Sequence, residues 1–245
     1  MGRRLMINEV NAAIDGAFRG GATRVVVNDS HDRMTNLLPE AVDPRARLIL
    51  GGYKPMYMLQ GLDSGFNAAF FLGYHGAIGE PEAILSHSYS PSLIWEARID
   101  GRVVGELGIN AMVADYFGVP IRLVTGDQVV AVEARELIAG VHVAEVKRSF
   151  SRYSAESLSP EESCSVIRDE AKACLQALPT SAPEPRPLRM ELTLQLADMA
   201  SMAEWIAGVE RAGPRTITYL AEDGLQAYQK FFAILTLTKS LVQQD

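Results

Sequence analysis

The chain has 245 residues, 48% of them apolar and 22% charged, and a formal net charge of −7. That balance excludes a disordered low-hydrophobicity chain and a polybasic nucleic-acid binder. The length allows one large domain or two small ones, with a core that needs no disulfide or metal staple.

From the start, Leu5, Met6, Val10, Ile14, Ala17 and Phe18 recur at helical spacing, and Gly20-Gly21 end the pattern. A β-branched run at 23–27 then predicts a short buried strand, closed by the polar string Asn28-Asp29-Ser30-His31. Further strands are predicted at 47–50, before Gly51-Gly52, and at 68–75, ending in His75. Asp100-Gly101, between apolar runs at 92–99 and 102–104, is a two-residue hairpin signal. Helical patterns at 107–117 and 129–138 flank a strand at 121–127. Strands alternating with helices predict an α/β fold with a mostly parallel sheet and flanking helices over residues 1–178. Four prolines within 179–187 mark a linker. Beyond it, Met190, Leu192, Leu194 and Leu196 alternate with polar residues, so 188–245 is expected to form a smaller α+β domain ending in a long helix from 223.

Cys164 and Cys174 lie in one helix-like stretch, about 15 Å apart along a helix, too far for a disulfide. Two free thiols fit a reducing compartment, so a cytoplasmic location is expected. No apolar run approaches the length of a membrane span, and no nucleic-acid or membrane partner is expected.

Only four histidines occur, and two of them, His31 and His75, follow apolar strands directly. In open α/β sheets, ligands bind beyond the carboxyl ends of the strands. His87 stands in the polar loop Ser86-His87-Ser88, and Glu106 opens a helix after the hairpin. Imidazoles and a carboxylate at element ends suit zinc, which accepts nitrogen and carboxylate oxygen. The competing reading is that His31 and His75 are hydrogen-bonded turn residues. His142 reads as a surface histidine at a strand start. Asp127 serves equally as a site neighbour or as the N-cap of the following helix, and Asp29 as a ligand neighbour or a turn former. The chain carries no HExxH, CxxC, phosphate-loop, GxSxG or dinucleotide-binding string.

Four strings, Val-Asn-Asp-Ser-His (27–31), Gly-Tyr-His (73–75), Ser-His-Ser (86–88) and Val-Gly-Glu-Leu-Gly-Ile-Asn-Ala (104–111), resemble the bacterial D-aminopeptidases of the dipeptide-transport operon, a family of binuclear zinc peptidases. The likeness runs from about residue 5 to 127, continues through 147–160 and reaches the last helix more weakly. It implies that His31 and His75 each hold a zinc, that Glu106 ligates one of the pair, and that His87 is the active-site histidine, the nucleophile in the family's proposed mechanism; a proton carrier or transition-state stabiliser beside a metal-bound water is the other role open to it. It further implies short peptides with an N-terminal D-residue, of the D-Ala-D-Ala type, as substrates, and a ring-shaped homo-oligomer, a decamer, as the assembly. The family also begins with a strand carrying Asp-x-Glu-Gly, which supplies two metal carboxylates. No such string occurs near residue 1, so the first strand is expected to be missing, through a truncated reading of a longer protein or a real loss. Residues 1–245 are then expected to hold at most one zinc, weakly. Two other readings stand beside the zinc D-aminopeptidase: a non-catalytic relative that binds D-peptides, and another metal-dependent amidohydrolase on the same scaffold.

Overall fold

Short apolar strands and the helices between them assemble into three sheets in the computed structural model, which describes residues 2–176 and 186–242. Helix α1 (Gly2–Arg19) leads into β1 (Val26–Asn28) and β2 (Arg47–Ile49), which pair in parallel as a two-stranded sheet. Strand β3 (Ala69–Phe71) follows, then the hairpin β4 (Ile94–Ile99) and β5 (Arg102–Val103). Asp100 and Gly101 both take positive φ, 50° and 84°, as the type I′ turn of a two-residue hairpin requires.

Helix α2 (Glu106–Tyr116), β6 (Ile121–Asp127), α3 (Gln128–Leu137) and β7 (His142–Ser151) continue the alternation. Every residue of β6 is buried, as befits a strand covered on both faces. β6 pairs in parallel with β3 and β7, and β8 (Ser154–Ser157) adds an antiparallel edge to β7. Helix α4 (Pro160–Ala173) starts at Ser159, whose hydroxyl accepts from the Glu162 N–H at 3.2 Å, with Pro160 in the first turn.

The expected linker 179–187 lies largely outside the described residues; at its end Arg186 pairs with Asp100 at 2.7 Å. Strand β9 (Leu188–Leu194), helix α5 (Ala197–Ala203), β10 (Val209–Arg211), β11 (Thr216–Ala221) and α6 (Gly224–Thr238) complete the chain. β9 lies between β11 and β4, so the C-terminal strands share one antiparallel five-stranded sheet with the Asp100-Gly101 hairpin. Parallel pairing is confined to β1–β2 and β3–β6–β7, so the sheet structure as a whole is mixed rather than mostly parallel. The buried faces of β4, β9 and β11 meet α2, α5 and α6 in one large core. The backbone of α6 at Gly224 approaches α2 closely enough that a Cβ there would stand 2.3 Å from the Met112 carbonyl oxygen.

Helix α1 packs on α4 and joins two smaller cores. Ile7, Val10 and Ile14 face the β1–β2 side, and Ala12 and Ala13 face the β6–β7 side. Among the described residues β1 pairs only with β2, and β3 only with β6 and none with β1. Residues of both strands line one cleft of about 1710 Å³. No helix among the described residues is long and apolar enough to cross a membrane.

The α1–α4 contact is set by a small residue. A Cβ at Gly16 would fall 2.3 Å from the Arg168 carbonyl oxygen and 2.7 Å from the Ala171 Cβ. In an exposed helix Gly→Ala stabilises by about 1 kcal/mol; here Gly16→Ala should instead destabilise by about 1–3 kcal/mol because the helices must part. Urea unfolding checks the sign, and a stabilised variant would refute the close approach.

Candidate active site

The cleft opens at the carboxyl ends of β1 and β3, and His31, His75, His87 and Glu106 all line it. His75 stands four residues beyond β3, His87 in the long loop before β4, and Glu106 as the first residue of α2. The His75 and His87 rings lie 5.2 Å apart, centre to centre. His87 Nε2 is 3.3 Å from Glu106 Oε1, and its Nδ1 is 2.6 Å from the Leu85 carbonyl oxygen. The same Glu106 oxygen accepts from the Tyr89 N–H at 2.8 Å. Three of the four expected residues are therefore in one cluster. His31 lines the cleft from an exposed turn, its N–H donating to Asp29 Oδ1 at 3.3 Å. His142 is not in the cleft; its Nδ1 pairs with Glu170 at 2.7 Å.

Burial, reinforced by the neighbouring His87, pulls the His75 imidazole down to about 4, so the ring is neutral at pH 7. Its Nδ1 is buried with no hydrogen-bond partner. His87 goes the other way, raised above the ordinary histidine range chiefly by its contact with Glu106. A neutral, unpartnered imidazole nitrogen beside a second imidazole and a carboxylate is the donor chemistry zinc takes. Among the described residues, however, no three His, Cys, Asp or Glu side chains converge closely enough to hold a metal ion.

The cluster is held from below. Asp127, fully buried, accepts from the N–H groups of Val129 and Val130 at 3.1 and 3.0 Å, which makes it the N-cap of α3. Its other oxygen accepts from the Ile84 N–H at 2.9 Å and the Ser149 hydroxyl at 2.7 Å. Of its two readings it is thus the N-cap, and, without lining the cleft itself, it also anchors the loop that carries His87. Asp29 is a turn former, accepting from the N–H groups of His31, Asn36 and Leu37. Lys54 Nζ, buried, bridges Asn28 Oδ1 and the Asp29 carbonyl at 2.6 Å each. One turn along α2 from Glu106, Asn110 bonds Tyr74 and Tyr89, and Tyr89 reaches Tyr228 of α6.

Glu133 of α3 accepts from the Gly105 N–H at 3.1 Å and from the Ala77 N–H, joining the turn after His75 to the residue before Glu106. Sequence reasoning passed over Glu133, Lys147 and Arg152, of which the last two also line the cleft. Lys147 and Arg152 belong to the β7–β8 hairpin, whose strands have little apolar alternation; the one available signal was the βαβ rhythm, which asks for a strand after α3.

An α/β scaffold whose cleft gathers two imidazoles and a carboxylate near the carboxyl end of a parallel strand presents zinc-compatible donors. Comparison with known proteins makes the class specific. The family profile described as D-aminopeptidase, peptidase family M55, matches residues 1–233. A D-aminopeptidase of Bacillus subtilis (strain 168) is 40% identical over 245 residues, covering 97% of this chain and 86% of the relative. A solved structure described as the Zn-dependent D-aminopeptidase DppA from Bacillus subtilis, a self-compartmentalizing protease, superposes with a TM-score of 0.90 at 37% identity, covering 97% of this chain and 87% of the other. The chain belongs to the D-aminopeptidase family.

Burial pushes the Glu133 carboxyl up to about 7, from an ordinary value near 4.3. The folded protein then holds a proton that the unfolded chain has released, so stability should fall as pH rises between about 4.3 and 7. Glu133→Gln should flatten that part of the curve, measured as the denaturant midpoint at about pH 5 and about pH 7.5. Identical pH dependence in both proteins would refute the assignment.

Proposed function

We propose that this chain is a zinc-dependent aminopeptidase that removes an N-terminal D-residue from short peptides of the D-Ala-D-Ala type. The observation that carries this reading is the His87 geometry within a chain of the D-aminopeptidase family. The Leu85 carbonyl can only accept, so Nδ1 of His87 carries a hydrogen, and Nε2 faces the Glu106 carboxylate. His87 is thereby fixed at both nitrogens as a proton carrier, able to deliver a proton to the leaving amine. Glu106 orients it and balances its charge.

His31, His75 and Glu106 are the residues that would hold zinc, and the partnerless Nδ1 of buried His75 supports that role. When bound, zinc supplies Lewis acidity at the scissile carbonyl. Three side-chain donors fall short of what two zincs need. We therefore propose that a strand carrying two further carboxylates belongs between the open edges of β1 and β3, where it would bring its carboxyl end to the same cleft. We also propose a cytoplasmic location, in line with two unbridged cysteines, and a ring-shaped homo-oligomer, the decamer the resemblance implies. The solved relative's description as self-compartmentalizing supports the ring.

The lack of a three-donor group among the described residues favours one second reading, a metal-poor relative that binds D-peptides without cleaving them. Metal analysis of the 245-residue chain after dialysis should find at most one zinc per chain, weakly held; two tightly held equivalents would contradict the donor count. With zinc in excess, the chain should hydrolyse D-Ala-D-Ala, and His87→Ala should lower kcat by roughly 100-fold or more. Failure to cleave any D-aminoacyl peptide even when the proposed carboxylate-bearing strand is supplied would leave the non-catalytic reading.

A further inference from the structure

Two of the cations lining the cleft act on the imidazoles, and the proposed chemistry uses neither. Lys147 of β7 and Arg152, in the turn joining β7 to β8, both line it together with His75, His87 and Glu106. Their positive charges bear on the two imidazoles, Lys147 on His75 and Arg152 on His87. Among the described residues neither cation takes part in an ion pair. Of the acidic groups lining the cleft, Glu106 is engaged by His87 and the Tyr89 N–H, and Asp29 by the turn that follows it.

Arg152 is placed by the same loop that places His87. Its carbonyl accepts from the Leu85 N–H at 2.8 Å, and the Leu85 carbonyl in turn holds His87 Nδ1. Its guanidinium carbon lies 5.7 Å from the Tyr153 ring centre, so one flank is covered by an aromatic face. Its Nε is buried and has no hydrogen-bond acceptor. A buried guanidinium N–H without a partner costs free energy, and an anion entering the cleft would supply the missing acceptor.

We propose that Arg152, with Lys147 as a second cation of the same cleft, is the subsite that binds the C-terminal carboxylate of the substrate, so that the enzyme acts on very short peptides with a free carboxyl end. This rests on the aminopeptidase reading and narrows it. In a dipeptide the carboxylate lies one residue beyond the scissile bond, about 3.3–3.6 Å of extended chain, within reach of a cation adjoining His87. A planar guanidinium can take both carboxylate oxygens at once, which an amide or ester end does not offer. Longer peptides would carry their carboxylate past Arg152 and lose the contact.

The test compares D-alanyl-D-alanine with its C-terminal amide, on the zinc-supplied chain and its Arg152→Ala, Arg152→Lys and Lys147→Met variants, with circular dichroism to verify folding. The unaltered chain should favour the acid over the amide by roughly 10- to 100-fold in kcat/KM, expressed mainly in KM. Arg152→Ala should collapse that ratio toward one, and Arg152→Lys should restore part of it. An acid-to-amide ratio near one in the unaltered chain, or a ratio that survives both Arg152→Ala and Lys147→Met, would overturn the subsite. If the unaltered chain cleaves neither compound, calorimetric binding of the same two compounds decides the subsite alone. Preferential binding of the acid that Arg152→Ala removes supports it, and equal binding of acid and amide overturns it.

Discussion

One buried carboxylate holds the candidate site in register. Asp127 ends β6, and its two oxygens take four donors from three separate segments: the first turn of α3, the loop of Ile84 and the strand of Ser149. A charge with no exposure to water is tolerated only when it is saturated with hydrogen bonds. That requirement fixes where the His87 loop and the β7–β8 hairpin sit relative to the central strand. His87 and Arg152 are therefore placed by a shared support, through Ile84 and Leu85 on one side and Ser149 on the other.

The same logic extends outward. Glu133 ties the turn after His75 to the start of α2, and Gly105 leaves only 3.1 Å between a would-be Cβ and the Ala77 Cα. Glu106 is thus delivered to His87 by a helix whose first residue has almost no positional freedom. Below it, the Asn110, Tyr74 and Tyr89 hydrogen bonds run to Tyr228 on α6. The C-terminal strands and helix, though remote in sequence, become the floor under α2, the helix that carries Glu106. Their apolar faces share the large core with α2.

Much of this was legible in the residues. Helix α1, strands β2 and β6, helices α2 and α3 and the Asp100-Gly101 hairpin follow from apolar periodicity and turn chemistry, which are local. The candidate residues His75 and Glu106 were legible because each stands near an element end, and His87 because it sits in a polar loop. The β7–β8 hairpin was not, since Lys147, Arg148, Ser149 and Ser151 give no clean alternation, and with it Lys147 and Arg152 were missed. The partition into a parallel sheet and an antiparallel one was also hidden. Alternation along β9 reveals a half-buried strand but not its neighbours, and β4 sits ninety-odd residues away.

The sequence by itself determined most of the helices and the apolar strands, which residues have the chemistry to hold a metal or move a proton, and the family likeness those strings imply. These are properties of neighbouring residues along the chain. Tertiary structure alone decided that His75, His87 and Glu106 meet while His31 stays at the rim, that His75 is driven to its neutral form, and that Asp127 serves two elements at once. Those outcomes depend on burial and on distances between residues tens of positions apart, and only packing sets such distances.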